Sequence, residues 1–333
     1  MKISILTPTF NYYSGIDRVV QQQAEEYARK GDKVTVITLE AGIRPKNYRV
    51  EVLGMPKNPL MQRLYRLFFF LDFGKMKYYK NLKNYDVAIS HFYPMNLLAS
   101  KARRKFNIKY IYFNHGINLE GDNFIQNIYM KLFSFFTNKT LKNVDEAYSV
   151  SNYLKDDLKK VSGLDSKVIY NKIDKRFNRN VKGDKIIKKY GLKNKKVLLY
   201  VGRITPHKGI HILLEAFKSI KTEIPNAVLI VAGNPTFDGY FKKLKSIAGK
   251  DVIFAGYIDD KDLPSYYAAC DIYTTCSLWE GFDLPAAEVQ ACGKKVVAFD
   301  IGSHPEIVKN GILVEKWDVK GFAEAVIRIL KNK

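Results

Sequence analysis

Apolar positions along the chain fall into short runs separated by stretches with helical spacing. Lys2–Thr7 is a β-rich run, and Pro8 is expected to end it in a loop, Thr9–Gly15. Ile16, Val19, Val20, Ala24, Tyr27 and Ala28 then recur at helical intervals, and Gly31 follows as a C-terminal stop. Lys33–Thr38 reads as a second strand. Asp86–Ser90, Lys109–Phe113, Ala147–Val150 and Lys167–Tyr170 are further short runs of the buried-strand type. Strand, loop, helix, strand is the opening of a doubly wound parallel sheet.

A second start follows. Lys195 and Lys196 precede the apolar run Val197–Val201, which ends at Gly202. A loop, a helix over Ile210–Ile220 and a strand at Ala227–Ala232 come next, and Val252–Ala255, Ile272–Thr275 and Val296–Phe299 continue the alternation. Between the two starts, Asp174–Tyr190 is polar and rich in Lys and Asn. The pattern predicts two Rossmann-like, doubly wound α/β domains facing across a cleft. Residues 1–173 form the first, 174–194 the hinge and 195–333 the second.

Composition narrows the class. A chain of 333 residues with 47% hydrophobic and 26% charged residues is long enough for two cores and too apolar to be disordered. Uninterrupted apolar runs are short, such as Leu67–Leu71 closed by Asp72, so no spanning helix is expected. The first ten residues turn polar quickly and carry no readable signal peptide. Cys270, Cys276 and Cys292 form no CxxC pair, which favours a reducing compartment over a disulfide framework or structural zinc. The expected location is the cytoplasm, with the inner face of a membrane as a possible station. The net charge of +22 is spread over both halves. It suits an anionic partner, whether nucleic acid, a phosphorylated small molecule or an anionic membrane surface, without choosing among them.

The strongest chemical signal is Glu280-Gly-Phe-Asp-Leu-Pro-Ala-Ala-Glu288. Pro285 suits the first helical position, which puts Glu288 in the first turn and leaves the N–H groups from Gly281 to Leu284 at a helix start. Such donors suit a phosphate or sugar hydroxyl, and the flanking carboxylates suit a polyol. A plain helix cap with surface acids is the alternative. The second signal is Gly202-Arg203-Ile-Thr-Pro-His-Lys208-Gly209. Arg203 offers a planar fork for phosphate oxygens and Lys208 a mobile charge, although isolated basic loop residues are usually just solvated. The Walker A order is absent.

Together these motifs resemble the family-4 glycosyltransferases, retaining nucleotide-sugar enzymes of the GT-B fold. The resemblance runs along nearly the whole chain. In the first half it rests on Gly15, His115-Gly116 and Ser149-Val-Ser151, and at the hinge on Asn171-Lys-Ile-Asp174-Lys-Arg-Phe177. In the second it rests on Gly202-Arg203, Lys208-Gly209, Gly256-Tyr257, Ser277-Leu-Trp-Glu280, the Glu-x7-Glu motif, Ala291-Cys-Gly293 and Pro305-Glu306. It implies an acceptor-binding first domain and a nucleotide-sugar-binding second one. Arg203 and Lys208 would hold the donor diphosphate and stabilise the leaving nucleotide. Glu280 would contact the transferred sugar, with help from amides at Gly281, Phe282, Asp283 and Leu284, and Glu288 would bind the ribose. Gly15 would let a loop approach the phosphate, and Tyr257 and Ile258 would flank the base. His115 would lie near the reactive face of the sugar. Retention by front-face attack, with the leaving phosphate taking the acceptor proton, gives Glu280 no nucleophile role. No cofactor or metal is implied.

Four departures from the family pattern stand out: Ser14-Gly15 for paired glycines, Asn171-Lys172 for Asn-Gly, Gly233-Asn-Pro235 for Gly-x-Gly, and Asp283 for a glycine inside the acidic motif. A carboxylate at position 283 would repel donor phosphates unless it is charge-paired or points to a sugar hydroxyl. The chain also ends soon after a helix at Phe322–Leu330, where many relatives add a helix crossing back to the first domain, so looser coupling of the domains is expected.

Weaker features have plainer explanations. Asp260-Lys-Asp262 matches DxD, but its setting is that of a helix cap, so no metal site is expected. The five histidines show no ligand spacing. Lys57–Lys83 is basic, with Leu60, Leu64, Leu67 and Leu71 at helical spacing, Met61 and Phe68 beside them, and Phe69, Phe70, Tyr78 and Tyr79 outside that stripe. It suits an anionic bilayer surface, or else a stripe packed on the core. The expected function is transfer of a hexosyl group from a UDP- or GDP-linked sugar to a glycan or lipid-linked acceptor. A GT-B nucleotide-sugar epimerase and a basic Rossmann-type binding protein remain alternatives. A dinucleotide oxidoreductase is disfavoured because GxGxxG is missing, and nucleic acid because no reader motif is present.

Overall fold

A computed structural model describes residues 1–11, 15–117 and 124–332, with the side chain of Pro59 excepted. Ser14, one of the departures, lies outside them. The chain divides into two compact units, 1–171 and 172–333.

The first unit carries a parallel sheet of β1 (Lys2–Phe10), β2 (Lys33–Ala41), β3 (Arg49–Val52), β4 (Val87–Ser90), β5 (Lys109–Asn114), β6 (Glu146–Ser149) and β7 (Lys167–Val168), in the order β3-β2-β1-β4-β5-β6-β7. The order reverses between β1 and β4, which makes that point the natural ligand crevice. β1 runs through Pro8, where the sequence predicts a stop. Leu6 accepts from His91 N on the β4 side, and Pro8 shares the orientation of Leu6. Its missing N–H therefore faces β4, whose pairing with β1 has already ended at Leu6↔Ser90. On the other side, pairing with β2 continues at Thr9↔Glu40. The proline costs no ladder bond.

The second unit carries β8 (Lys196–Val201), β9 (Ala227–Ala232), β10 (Val252–Gly256), β11 (Ile272–Thr275), β12 (Lys295–Phe299) and β13 (Gly311–Val314), in the order β10-β9-β8-β11-β12-β13. β9 is buried at every position, which is why its sequence is an unbroken apolar run. Tyr200, Leu213, Phe217, Phe299, Phe322 and Val326 belong to the core between this sheet and the helices Ile210–Glu223 and Val319–Lys331. Each fully buried large side chain contributes on the order of 2 kcal/mol. The reversal here lies between β8 and β11.

The segment expected as a hinge belongs to the second unit from Lys172 onward. It holds a helix, Asp184–Tyr190, that packs on the helix Leu263–Ala269. Arg176 pairs with Asp260 at 2.5 Å and Lys185 with Asp262 at 2.8 Å. The carboxylates of the DxD match are thus spent on separate cations. Asp262 is the N-cap residue, but its side chain bonds to Lys185 and not to the helix.

Lys57–Lys83 is not one helix. Helix Pro59–Leu67 ends at Phe68, a tight turn covers Phe69–Leu71, and Asp72 starts a new helical turn by accepting from Lys75 N at 3.0 Å. Leu67 and Phe69 are buried, so Phe69 adds none of the apolar surface expected of it outside the leucine stripe. They anchor the segment, while Leu60, Met61, Leu64, Phe68, Leu71 and Phe73 stay exposed. The helix Phe124–Leu141 lies alongside: Tyr129 Oη donates to Arg63 O, and Phe70 packs on Phe136 at 5.0 Å. It adds exposed Phe124, Ile125, Ile128 and Phe135. No helix among the described residues is long and apolar enough to cross a membrane.

Candidate active site

Two loops at the strand-order reversal of the second unit build the site. Gly202 leaves β8 and Arg203 follows, exposed. Its guanidinium makes no hydrogen bond or ion pair among the described residues. Pro206–Lys208 forms a single 3-10 turn, and Gly209 starts the next helix at φ +64°. A Cβ at Gly209 would lie 2.0 Å from the Cys276 carbonyl oxygen, so only glycine allows this loop to press against the end of β11. Leu278 N donates to His207 O at 2.8 Å and locks the two loops together.

That contact carries Lys208 to Glu280. Lys208 Nζ donates to Glu280 Oε1 at 2.5 Å, with both side chains mostly buried. Glu280 is further clamped from the loop after β12. Ser303 N donates to Glu280 O at 3.1 Å, and Gly302, at φ +51°, passes where a Cβ would be 2.3 Å from that same oxygen. The field around Lys208 is positive. Burial, with Lys208 and Arg203 nearby, pushes His207 down to about 4, so it is neutral at physiological pH.

Asp283 is the N-cap of helix Leu284–Ala291. Its Oδ1 accepts from Ala286 N at 3.2 Å, and its Oδ2 meets His304 Nε2 at 3.0 Å. His304 Nδ1 donates to Phe299 O at 2.6 Å. Burial disfavours the charged imidazole, but the hydrogen bond and charge of Asp283, with help from Glu280, outweigh it and raise the His304 pKa. The feared phosphate-repelling carboxylate is therefore charge-paired. The amides of Asp283 and Leu284 find no acceptor among the described residues. They stand at the positive end of the helix. Leu284 is the first helical residue and Pro285 the second, so Glu288 lies one position beyond the first turn where the sequence puts it. Glu288 is buried and accepts from Tyr267 Oη at 2.8 Å, and Phe177 packs on the Tyr267 ring at 5.6 Å. Tyr257 is exposed and Ile258 partly so, just after β10. Gly281 and Phe282 are buried within the motif.

Glu280, Asp283 and His304 bring their ligand atoms within 4.8 Å of one another. Lys208 and His304 already neutralise the two carboxylates, so the trio is held as an ion-pair network. The sequence gives no role to His304. It lies 21 residues from Asp283, and only the parallel pairing of β11 with β12 brings the two loops together.

The other predicted residues are in the first unit. Gly15 opens the helix Gly15–Arg29 after β1. His115 follows β5, partly exposed. His91, just after β4, is fully buried, stacks on Phe113 and meets His115, with Nδ1 to Nε2 at 2.9 Å. Burial pushes His115 down to about 4 and His91 well below its usual value. His91 is the second residue the sequence does not single out.

The fold and this network define a GT-B glycosyltransferase scaffold. Residues 13–177 match the model of Glycosyltransferase Family 4, and residues 183–333 match that of glycosyl transferases group 1. Together they take in nearly the whole chain, which belongs to the family-4-like glycosyltransferases. The lipopolysaccharide 1,2-N-acetylglucosaminetransferase of Salmonella typhimurium is 38% identical over 151 residues, 41% of this chain and 40% of its own. The N-acetyl-alpha-D-glucosaminyl L-malate synthase of Bacillus anthracis is 29% identical over 176 residues, 51% of this chain and 45% of its own. The chain spans about two fifths of the length of the first curated relatives it matches. Anabaena HepE, solved in complex with UDP and glucose, superposes with a TM-score of 0.81 at 22% identity, over 100% of this chain and 89% of that one. At that identity the likeness is one of fold.

Proposed function

We propose that the protein is a retaining, metal-independent glycosyltransferase that moves a hexosyl group from a UDP- or GDP-linked sugar to a glycan or lipid-linked acceptor. The observation that carries this reading is the juxtaposition, at one strand-order reversal, of an unengaged Arg203, the Lys208–Glu280 pair and the amides at the start of helix Leu284–Ala291. A diphosphate fits this set. Arg203 and Lys208 take its oxygens, the helix start takes the rest, and Lys208 leaves Glu280 free to accept from sugar hydroxyls. As the glycosidic bond breaks, charge grows on the leaving phosphate, where these donors act most strongly. Glu288 and Tyr267 would bind the ribose, and Tyr257 and Ile258 the base. The UDP and glucose bound by Anabaena HepE and the sugar named in the Salmonella and Bacillus relatives support the substrate class.

A thermal-shift screen of UDP-, GDP- and ADP-sugars tests the donor. One nucleotide is expected to raise the midpoint, by about 2.7 kcal/mol of added stability at a hundredfold excess over Kd. Arg203→Ala is expected to abolish the rise, and EDTA to leave it unchanged. A rise that survives Arg203→Ala, or one that needs a divalent ion, contradicts the site as drawn.

The exposed apolar residues of Pro59–Leu67 and Phe124–Leu141, edged by Lys57, Arg63, Arg66 and Lys131, would dock on an anionic bilayer and bring a lipid-linked acceptor to the first unit. Co-sedimentation with anionic vesicles at low salt is expected, reduced at high salt and by replacing Leu60 and Leu64 with Ser. Failure to bind anionic vesicles at low salt removes this part of the proposal.

A further inference from the structure

The histidine pair of the first unit carries a proton arrangement that can be read from its partners. Gln23, on the helix Gly15–Arg29, points its Oε1 at His91 Nε2, 2.8 Å away. An amide oxygen only accepts, so His91 Nε2 carries a proton. A neutral imidazole has one N–H, which leaves His91 Nδ1 as an acceptor. The atom facing it at 2.9 Å is His115 Nε2, which must then be the donor. His115 is left with its lone pair on Nδ1. Among the described residues, that nitrogen has no hydrogen-bond partner.

The surroundings hold this arrangement in place. His91 is fully buried, its ring stacks on Phe113 at 5.1 Å, and its backbone N–H is tied to Leu6 O. The backbone beside His115 is pinned by Gly116 N donating to Asn114 Oδ1, while Asn114 Nδ2 donates to Ser149 Oγ and Leu154 O. A second proton on the His91 ring would be a fully buried charge with no carboxylate to meet it in this chain of contacts.

We propose that Gln23 and His91 are positioning residues that fix His115 as its Nε2–H tautomer and so present His115 Nδ1 as a hydrogen-bond acceptor to a substrate hydroxyl. The inference rests on the transferase reading for the identity of that hydroxyl. The tautomer itself does not depend on that reading. Which ring nitrogen holds the proton is set by the bond the other nitrogen makes. With the opposite tautomer, His115 would offer a donor where a hydroxyl needs somewhere to place its proton.

Long-range proton–nitrogen NMR on the full chain with labelled histidine reads the tautomers directly. Both rings are expected to be neutral and Nε2-protonated at pH 7. His91→Asn puts an amide oxygen near the place of Nδ1 and is expected to keep the His115 tautomer. His91→Phe keeps a ring against Phe113 without an acceptor, and is expected to leave His115 in mixed tautomers. In transfer assays His91→Phe should lower kcat about tenfold, the worth of one lost hydrogen bond, with the KM for nucleotide sugar changed less than about twofold. His91→Asn should stay within about twofold of the parent in both constants. Where His91→Phe does not fold, Gln23→Leu serves instead. It removes the acceptor that orients His91 and is expected to mix the tautomers of both rings. An Nδ1-protonated His115 in the parent, an unchanged His115 in the folded acceptor-free variant, or an Asn variant as slow as Phe overturns the proposal. Absence of turnover with every nucleotide sugar would count against the transferase reading, while the spectra would still decide the relay.

Discussion

Lys208→Ala is expected to lower kcat for sugar transfer by about 10²- to 10³-fold, the usual cost of removing one donor that stabilises charge developing in the transition state. Glu280→Gln should also be slow, because a neutral amide cannot replace a carboxylate that accepts from two hydroxyls. The two side chains bond to each other at 2.5 Å in a mostly buried setting, so each single change also strands its partner. Removing one member of such a pair costs about 3–5 kcal/mol when it is fully buried, and less here because Lys208 keeps some solvent. The double variant Lys208→Ala/Glu280→Gln separates the two effects. It is expected to regain most of the stability lost in Lys208→Ala and none of the activity. Steady-state kinetics beside urea unfolding would show this. Recovery of activity together with stability would make the pair structural only.

Removing His304 is expected to give the largest loss of stability. His304→Ala leaves the buried Asp283 carboxylate without its cation and opens space beside Phe299, for an expected loss of about 3 kcal/mol. The same pair predicts a pH dependence. The His304 pKa is raised above its ordinary 6.5 in the folded chain. Its contribution is thus complete below about pH 6.5 and fades as pH rises through the raised value. The urea midpoint of the parent should therefore fall on going from neutral to alkaline pH. His304→Gln, which cannot titrate, should lack that component. Parallel midpoint curves for the two proteins would show that the pair is not charged.

Both networks explain what could be read without the structure. Ala227–Ala232 is legible to the residue because a central parallel strand is buried on both faces and leaves a continuous apolar run. Arg49–Val52 leaves no such run, since it is an edge strand with exposed positions. Arg203, Lys208 and Glu280 are legible as motifs, each at the end of a strand. The partners of the motifs are not. His304 reaches Asp283, and His91 reaches His115, because each pair sits on loops after neighbouring parallel strands, and sequence spacing carries no trace of which strands lie side by side. The same blindness made Asp283 look like a hazard to the donor phosphates, when its second oxygen is committed to an imidazole. The stripe in Lys57–Lys83 was legible as amphipathic, but the break at Asp72 and the inward turn of Phe69 depend on the hydrogen bonds of Asp72 to Lys75 and Tyr65.

The proposed function stands on the second unit holding a sugar diphosphate between the cations of one loop and the capped helix start of the next. A crystal structure of the protein with the nucleotide sugar selected by thermal shift measures this directly. The diphosphate is expected within hydrogen-bond reach of Arg203, Lys208 and the amides near Leu284, with Glu280 on the sugar and Asp283 still on His304. A nucleotide bound elsewhere on the chain, with Lys208 still closed on Glu280 and this groove unfilled, would contradict it.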